Sequence, residues 1–313
     1  MTAPVDRPWE LSDLPDQAGR TVLVTGPTIG GLGHHTALEL ARRGARVVLA
    51  GRNPTKVSAT VEAIRREVPS AELETLRVDL ADLDSVRSAA GAAARIGAVD
   101  VLVNNAGVMG TAYERTKDGL ELQMATNHFG PFLFTGLLLP QLVASGDARV
   151  VTVSSIMHKM ARRAPLDEPH TQSGRYWTWQ VYSQSKLANL LFTSELERRV
   201  RAAELPVTAV AAHPGFSGTH LAANGQYGRA AGGAASILDA TIKAVSQSAA
   251  AGAWPLLMAA TADLPGDTYC GPSGFRELSG KPKAAGRTRL ARDTVAARRL
   301  WELSEQTVGL SYP

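Results

Sequence analysis

Tyr182 and Lys186 are the two side chains whose types and spacing are most suggestive of proton transfer. Residues four positions apart lie on one face of a helix, and an apolar helical pattern continues beyond them through Arg199. A neighbouring cation favours phenolate, so Lys186 is expected to lower the pKa of Tyr182 toward the working pH. Such a tyrosine can give a proton to a carbonyl oxygen or take one from an alcohol. Two ordinary polar residues on a helix would show the same spacing, so the pair needs support from the rest of the chain.

A glycine-rich turn near the start of the chain predicts a dinucleotide site. The apolar run 21–25 is typical of a buried parallel strand, the turn 26–33 follows it, and a helical pattern covers 34–43 before a second strand at 46–50. Glycines let the backbone approach a pyrophosphate, and the helix N-terminus offers free N–H groups.

Arg52 stands where the second strand ends, at the place where NAD sites usually carry an acidic residue for the ribose 2′-hydroxyl. Neither Asp nor Glu occurs between Arg46 and Val61. Because a guanidinium can clamp a 2′-phosphate, Arg52 favours NADP(H) as the cofactor, with NAD(H) still possible. The alternative is a surface arginine that begins the helix predicted at 54–67.

Polar residues follow three further predicted strands. Strand 73–78 ends at Asp79, strand 99–103 runs into Asn104, and strand 149–153 ends at Ser155. The carboxyl ends of parallel strands border the ligand crevice, so Ser155 is expected to face it. Asp79 could meet an adenine or could be a helix-start carboxylate, and Asp82 is expected to cap a helix over 82–95.

A predicted long helix over 118–146 contains residues that helices disfavour. Asn127, Gly130 and Pro131 lie in its middle, and Pro131 predicts a kink with freed carbonyls. Proteins often break local rules where function needs it. His128 is a candidate acid–base residue, although a packed or surface histidine explains it as well.

The second half of the chain contains two irregular regions. An insert at 156–180 carries Trp177, which is expected either to line a substrate pocket or to anchor the loop. A strand at 207–212 leads to Phe216 and a glycine- and alanine-rich lid region at 216–233. One or two helices are expected within 234–262, a short strand at 267–271, basic turns at 278–290 and a closing helix at 293–306.

The composition is that of a globular protein. The chain has 313 residues, of which 44% are hydrophobic and 20% charged, with a formal net charge of +4. The scattered basic residues favour a solvated surface over a nucleic-acid site, and the single cysteine excludes an internal disulfide and a cysteine metal cluster. No apolar run approaches a membrane span and no signal peptide is recognised, so we expect a soluble, cytoplasmic protein with an N-terminal arm at 1–19 and one domain at 20–313.

Together these motifs, in this order, resemble the short-chain dehydrogenases/reductases over nearly the whole chain, and most of all the retinol dehydrogenase and protochlorophyllide reductase-like branch. The motifs are the glycine turn, 104–107, 127–130, 182–189 and 212–215. The resemblance implies one doubly wound Rossmann-type α/β domain, a mainly parallel sheet with helices on both faces. It also implies hydride transfer between NADP(H) and a carbonyl/alcohol pair.

The resemblance also assigns roles to residues. Tyr182 matches the catalytic acid/base, Lys186 the residue that lowers its pKa and holds the nicotinamide ribose, and Ser155 the residue that holds the substrate oxygen. Asn127 matches the asparagine that orders a proton-relay water. The implied cofactor-binding residues are Gly26, Thr28, Gly31, Leu32, Gly33, Arg52, Asp79, Leu80, Asn104, Ala106, Gly107, Tyr182, Lys186, Pro214, Gly215, Ser217 and Thr219. The expected substrate-binding residues are Ser155, Trp177 and Phe216.

The glycine loop departs from the family pattern of Thr-Gly-x-x-x-Gly-x-Gly. If Gly31 and Gly33 are its last two glycines, the loop carries one extra residue; if Gly30 is the middle one, Leu32 replaces the last. The first alignment is preferred because it opens the helix in register. The departure leaves open an alternative function, a non-catalytic dinucleotide-binding sensor or scaffold.

One further alternative concerns the reaction, and two expectations concern the substrate and the oligomeric state. A sugar epimerase or dehydratase also uses Tyr-x-x-x-Lys but usually carries a larger C-terminal domain. The irregular aromatic segments indicate a sizeable hydrophobic carbonyl or alcohol as substrate, of retinoid, steroid or polyketide type. The resemblance is compatible with a monomer or a homodimer.

Overall fold

The computed structural model describes residues 7–166, 176–216 and 247–313, and in them eight strands form one sheet of order β3-β2-β1-β4-β5-β6-β7-β8. The strands are β1 (Thr21–Thr25), β2 (Arg46–Gly51), β3 (Leu73–Arg77), β4 (Val101–Asn104), β5 (Ala148–Val153), β6 (Val207–Ala212), β7 (Tyr269–Pro272) and β8 (Pro282–Ala284). All neighbouring pairs are parallel except β7 and β8. The strand order reverses between β1 and β4, which places a ligand crevice beyond their carboxyl ends.

Helices cover both faces of the sheet, which confirms the doubly wound fold. One apolar core lies under α1 (Leu32–Arg42), α2 (Pro54–Glu67) and α6 (Ala249–Thr261). The other lies under α3 (Leu83–Ala93), α4 (Gly130–Ser145), α5 (Thr178–Ala202) and α7 (Thr294–Val308). The central strands are buried on both faces, which explains their unbroken apolar sequences. No helix in the described ranges is long and apolar enough to cross a membrane.

Local sequence signals place the helix starts well. Asn53 accepts a hydrogen bond from the Lys56 amide at the start of α2, and Pro54 occupies the first turn, where its missing N–H costs nothing. Asp82 accepts from the Ser85 amide at 2.9 Å, which confirms it as the cap of α3.

The helix predicted over 118–146 is present but begins later, at Leu122, and it is not α-helical throughout. A single turn, Leu122–Met124, leads into a π-helical turn, Ala125–Phe129, and α4 begins only at Gly130. Pro131 therefore lies in the first turn of α4, directly after the π-helical turn. Gly130 packs against the backbone of Leu80, where a Cβ would have no space. The rule-breaking residues thus mark a change of helix type.

Two other segments differ from prediction. The irregular insert ends earlier than 180, because α5 begins at Thr178. β8 lies inside the stretch predicted as basic turns. From residue 7 onward the N-terminal arm packs on the domain: Trp9 and Leu14 are buried, a short turn covers Leu11–Asp13, and the Trp9 amide donates to the Pro282 carbonyl at 3.0 Å.

The turn between β7 and β8 holds two adjacent non-glycine residues in the left-handed region. Arg276 has a φ of +50° and Glu277 a φ of +60°. Such conformations each cost about 1–3 kcal/mol and persist only where the surroundings fix them. Cys270, the single cysteine, is buried in β7.

Candidate active site

Tyr182 and Lys186 meet at the carboxyl end of β5. Both side chains are buried, and Lys186 Nζ lies 5.8 Å from the centre of the Tyr182 ring. Lys186 donates to the Val153 carbonyl at 3.1 Å. Their helical spacing therefore places both groups at the sheet edge where a ligand is expected.

The pKa of Tyr182 differs from the expectation. Burial disfavours the phenolate and raises the pKa of Tyr182 to about 12, and a hydrogen bond with Ser155 offsets this only in part. Burial also lowers the pKa of Lys186 to about 8, because the ammonium loses its water. The expected lowering of the Tyr182 pKa by Lys186 is not seen here, because burial dominates and the hydrogen bond with Ser155 is the interaction that opposes it. At neutral pH Tyr182 keeps the proton that a carbonyl oxygen would need.

Ser155 begins the turn Ile156–Met160 that follows β5. Its Oγ accepts a hydrogen bond from the Met157 amide at 3.1 Å, and its hydroxyl is also hydrogen-bonded to Tyr182. Ser154 points the other way and donates to the Lys186 carbonyl at 2.7 Å. Of the two serines, Ser155 is therefore the one beside the phenol, as the alternation of strand side chains predicts.

Asn127 lies in the π-helical turn before α4. Its Nδ2 donates to the Val108 carbonyl and to Ser185 Oγ, both at 2.9 Å, and its Oδ1 accepts from the Val108 amide at 2.8 Å. A Cβ on Gly107 would lie 3.0 Å from Asn127 Oδ1 and 3.5 Å from Lys186 Nζ. Gly107 therefore leaves the space between the asparagine and the lysine open.

The glycine loop absorbs its extra residue in a tight turn. The Gly31 amide donates to the Thr28 carbonyl at 2.9 Å, and Gly30, with a φ of +74°, donates to His34 Nδ1 at 3.3 Å. Gly31 is the N-cap of α1, so Leu32 and Gly33 open the helix, as the preferred alignment requires. Two hydrogen bonds therefore hold the loop, one to the Thr28 carbonyl within it and one to His34 in the first turn of α1.

Asn105 fastens this loop to the next strand, a role that the motif analysis did not assign to it. Its Nδ2 donates to the carbonyls of Thr25 at 2.7 Å and Gly26 at 3.1 Å. A Cβ on Gly33 would collide with this amide, and one on Gly26 would lie 2.8 Å from Ala106 Cα. The glycines are needed for strand-to-loop packing as well as for a ligand.

Asn104, predicted to contact the cofactor, lies deeper than its neighbour. Its Nδ2 donates to Thr135 Oγ1 at 2.9 Å on α4, and its Oδ1 is buried without a hydrogen-bond partner in the described residues. The Asn104 side chain thus links β4 to α4, and its unpaired Oδ1 faces the protein interior.

Arg52 lines an open cleft of about 480 Å³ beyond β2 and β3. Arg77, which sequence reasoning did not single out, lines the same cleft because it pairs in register with Gly51 at the end of β3. The Arg52 side chain is 70% exposed and lies 4.0 Å from Asp79. Two guanidiniums can therefore reach one anion here.

Two carboxylates also border this cleft. Asp79 Oδ1 accepts from the Ala81 amide at 3.0 Å, and Asp82 is paired with Lys117 Nζ at 2.8 Å. Hydrogen bonding with Lys117 and with the Ser85 amide holds the pKa of Asp82 low, although its partial burial acts in the opposite direction. Leu80, by contrast, is buried in the core beside α4.

The loop after β6 begins at Pro214, and Gly215 has a φ of +67°. A Cβ on Gly215 would lie 2.5 Å from the Leu278 carbonyl, so this position needs glycine. The Gly215 amide donates to His213 Nδ1 at 3.2 Å. Ser217, Thr219 and most of the lid region 216–233 lie outside the described residues.

The two aromatic residues expected to bind substrate are exposed. Trp177 has 62% of its surface exposed and caps the start of α5, and Phe216 has 36% exposed at the end of the loop after β6. Each therefore flanks an element that carries site residues, with apolar surface available to a ligand.

A buried polar network anchors the start of α5 and was not anticipated. Glu121 accepts from the Tyr176 hydroxyl at 2.7 Å, and Gln123 Nε2 donates to that hydroxyl and to the Thr178 carbonyl. Gln123 Oε1 also accepts from the Gly110 amide at 3.0 Å. The network fixes the helix start ahead of Tyr182, and no local sequence signal reveals it.

His128 is a packed residue, as one of its two interpretations held. It is buried, its Nε2 lies 2.8 Å from Ser304 Oγ on α7, and burial lowers its pKa to about 3. It therefore stays neutral and faces away from the Tyr182 group.

The residues fit a dinucleotide along the carboxyl edge of the sheet. The glycine loop after β1 and Gly107 after β4 lie along this edge, and the arginine cleft lies at one end of this track. Tyr182 and Ser155 lie at the other end. The donor set therefore matches a phosphate-containing ligand whose reactive end reaches the tyrosine.

Comparison with known proteins supports the same assignment. Residues 20–166 match the family model for short chain dehydrogenase. The chain is 37% identical to human retinol dehydrogenase 13 over 305 residues, covering 94% of this chain and 86% of that protein. The 94% coverage places the resemblance across both halves of the fold.

Solved structures agree with the fold. An uncharacterized protein from Mycobacterium Paratuberculosis is 43% identical, with a TM-score of 0.81 over 98% of this chain and 100% of that one. A proposed NAD(P)-dependent gluconate 5-dehydrogenase from Beutenbergia cavernae with bound NADP is 27% identical, with a TM-score of 0.60 over 79% and 92%. The enzyme interpretation is thereby favoured over a non-catalytic scaffold, and the chain belongs to the short-chain dehydrogenase family, in its retinol dehydrogenase-like branch, as an oxidoreductase acting on CH–OH and C=O groups.

Proposed function

We propose that this oxidoreductase interconverts a carbonyl and an alcohol on a hydrophobic substrate, using NADP(H) as cofactor and Tyr182 as acid/base. One observation carries the proposal: the Tyr182 phenol, hydrogen-bonded to Ser155, lies at the carboxyl edge of the sheet with Lys186 beside it. A bound nicotinamide cofactor supplies or accepts the hydride.

Tyr182 and Ser155 handle the substrate oxygen. Because burial raises the pKa of Tyr182 to about 12, the phenol is protonated at neutral pH and can donate to a carbonyl oxygen during reduction. The Ser155 hydroxyl, already fixed by the Met157 amide, donates a second hydrogen bond that orients the oxygen and stabilises its developing charge. In oxidation Tyr182 acts as the base only after it has lost its own proton; the phenolate then takes the alcohol proton while Ser155 holds the oxygen.

Lys186 and Asn127 support the proton on Tyr182. Burial lowers the pKa of Lys186 to about 8, so its ammonium can release and regain a proton near neutral pH. Asn127 holds the backbone at Val108 and faces the open space at Gly107. We propose that these two residues order a water between them that resupplies the proton.

The cofactor preference rests on the arginine cleft. Arg52 and Arg77 line a space of about 480 Å³ at the ends of β2 and β3, where a ribose 2′-phosphate would be placed. The neighbouring Asp82 is already paired with Lys117, so it opposes a phosphate less than a free carboxylate would. This arrangement favours NADPH over NADH.

A hydrophobic substrate is supported by the exposed rings of Trp177 and Phe216 and by the name of the relative retinol dehydrogenase 13. The test uses all-trans-retinal as the probe and glyceraldehyde as a small polar control, each with NADPH and with NADH, and measures the alcohol product by chromatography. Faster turnover of retinal with NADPH supports the proposal. Preference for glyceraldehyde refutes the substrate class, and preference for NADH refutes the cofactor assignment.

A further inference from the structure

Glu277 is the most unusual residue outside the family motifs. It and its neighbour Arg276 both adopt left-handed backbone conformations without being glycine. Side chains with a Cβ resist this region, and such strain is concentrated at sites where the surroundings need a particular geometry. The strain at Glu277 therefore directs attention to the contacts that its side chain makes.

The Glu277 carboxylate joins three separate segments. Its Oε2 lies 2.7 Å from Lys159 Nζ and 3.6 Å from His213 Nε2, and its Oε1 accepts from the Gly286 amide at 3.2 Å. The carboxylate is largely buried, with 18% of the side chain exposed. Of its two charged or polar side-chain partners, His213 is fully buried and Lys159 is 39% exposed, so solvent weakens the lysine end of the link more than the histidine end.

The lysine end of this link leads to the serine turn. Lys159 lies in the turn that Ser155 begins, next to His158. His158 Nδ1 lies 2.8 Å from the Ser155 carbonyl, and the His158 amide donates to the same oxygen at 3.0 Å. A displacement of Lys159 would therefore shift the backbone of Ser155, because both residues belong to one hydrogen-bonded turn.

The histidine end leads to the loop after β6. His213 Nδ1 accepts from the Gly215 amide, so the neutral ring carries its proton on Nε2, the atom that faces Glu277. His213 is fully buried, and its Nε2 has no shorter hydrogen bond in the described part of the chain. The Phe216 amide also donates to the Leu278 carbonyl at 2.8 Å, which fastens the same loop beside Glu277.

We propose that Glu277 is a positioning residue that sets the separation between the Ser155 turn and the Pro214–Phe216 loop. These two segments lie side by side at the carboxyl ends of β5 and β6, where the Ser154 amide donates to the Ala212 carbonyl. The inference rests on the proposed function, because the gap that they border would receive the reactive end of the cofactor. The left-handed pair is retained because only that turn directs the carboxylate between Lys159 and His213.

Adjacent left-handed residues provide a matched pair of variants. Glu277→Gly and Arg276→Gly each relieve one strained position, but only the first removes the carboxylate. We expect Arg276→Gly to bind NADPH as the wild type does and Glu277→Gly to bind it about tenfold more weakly, by isothermal titration calorimetry. Both variants should bind 2′-AMP as the wild type does, since this fragment reaches only the arginine cleft. Arg276→Gly should unfold at or above the wild-type temperature; Glu277→Gly also loses the carboxylate contacts, so its unchanged 2′-AMP binding is the check that it is folded.

A second variant tests the path through the serine turn. Lys159→Met is expected to weaken NADPH binding several-fold, and adding it to Glu277→Gly should cause little further loss, since the two residues form one link. Equal NADPH affinities for the two glycine variants, or additive losses in the double variant, would overturn this inference and leave the proposed function in place. A wild-type protein that binds no NADPH would overturn the proposed function and this inference with it.

Discussion

The two ends of the proposed cofactor track differ in how the protein holds them. At the catalytic end, Tyr182, Lys186 and Asn127 are buried. Lys186 and Asn127 donate to backbone carbonyls, and Tyr182 is hydrogen-bonded to Ser155. At the arginine end, Arg52 is 70% exposed and its nearest acidic partner lies 4.0 Å away. The sequence motifs are intact at the first end, and the glycine loop between the two ends carries an extra residue.

This difference separates two physical tasks. Burial shifts the pKa values of Tyr182 and Lys186, so the proposed proton transfer depends on a rigid interior from which bulk solvent is excluded. Recognition of a phosphate depends on exposed cations, whose contribution water and salt reduce. Changes at the buried end should therefore act mainly on turnover, and changes at the exposed end mainly on affinity.

The largest effect is expected from Tyr182→Phe. Removal of the hydroxyl takes away the proton donor but keeps the buried ring, so turnover of retinal should fall by about 10²–10⁴-fold. The Kd for NADPH, measured by calorimetry, should stay within about twofold of the wild type. Unchanged turnover would refute the acid/base assignment.

Arg52→Leu should act at the other end. We expect the Kd for NADPH to rise about tenfold, equivalent to about 1.4 kcal/mol, with no change in the Kd for NADH. Arg77→Leu should have a smaller effect of the same kind. Arg65→Leu, on α2 outside the arginine cleft, is the matched control. Equal losses for NADPH and NADH would show that Arg52 does not read the 2′-phosphate.

Stability should depend on pH through Lys186. Its pKa in the folded chain, about 8, lies below the ordinary 10.5. Above about pH 8 the unfolded chain therefore holds a proton that the folded chain has released, and stability rises with pH. Between pH 8 and 9 the free energy of unfolding should rise by roughly 1 kcal/mol relative to Lys186→Met, measured by urea denaturation. A parallel pH profile in the variant would contradict burial of the ammonium.

The smallest effect should come from the glycine loop. His34→Leu removes the acceptor for the Gly30 amide, and we expect the Kd for NADPH to rise about threefold. His34→Asn, of similar size to leucine, restores an acceptor and should bind as the wild type does. His35→Asn is the control on the same turn. Equal affinities for the leucine and asparagine variants would show that the hydrogen bond does not order the loop.

Much of the fold was predictable because the signals are local. The apolar strands, the cap at Asp82 and the spacing of Tyr182 and Lys186 each depend on residues close together in the chain. The helix after the glycine loop opens at Leu32, which agrees with the preferred alignment with an extra loop residue, and that alignment stays a prediction.

The parts that escaped prediction depend on contacts between distant segments. Arg77 joins Arg52 only through strand register, and Tyr176 meets Glu121 across 55 residues. Desolvation of Tyr182 likewise depends on everything packed around it, so its raised pKa could not be read from the Tyr-x-x-x-Lys spacing. The π-helical turn at Asn127 was anticipated only as a break in local rules.

Cys270 has a practical consequence. Its thiol is the only one in the chain, is fully buried in β7, and burial raises its pKa to about 12. A thiol reagent in solution can react only after β7 separates from its neighbours, because the reactive thiolate is suppressed in the closed sheet. The rate of alkylation therefore reports how often β7 separates from its neighbouring strands. Slower alkylation with NADPH present would show that the cofactor reduces this local opening.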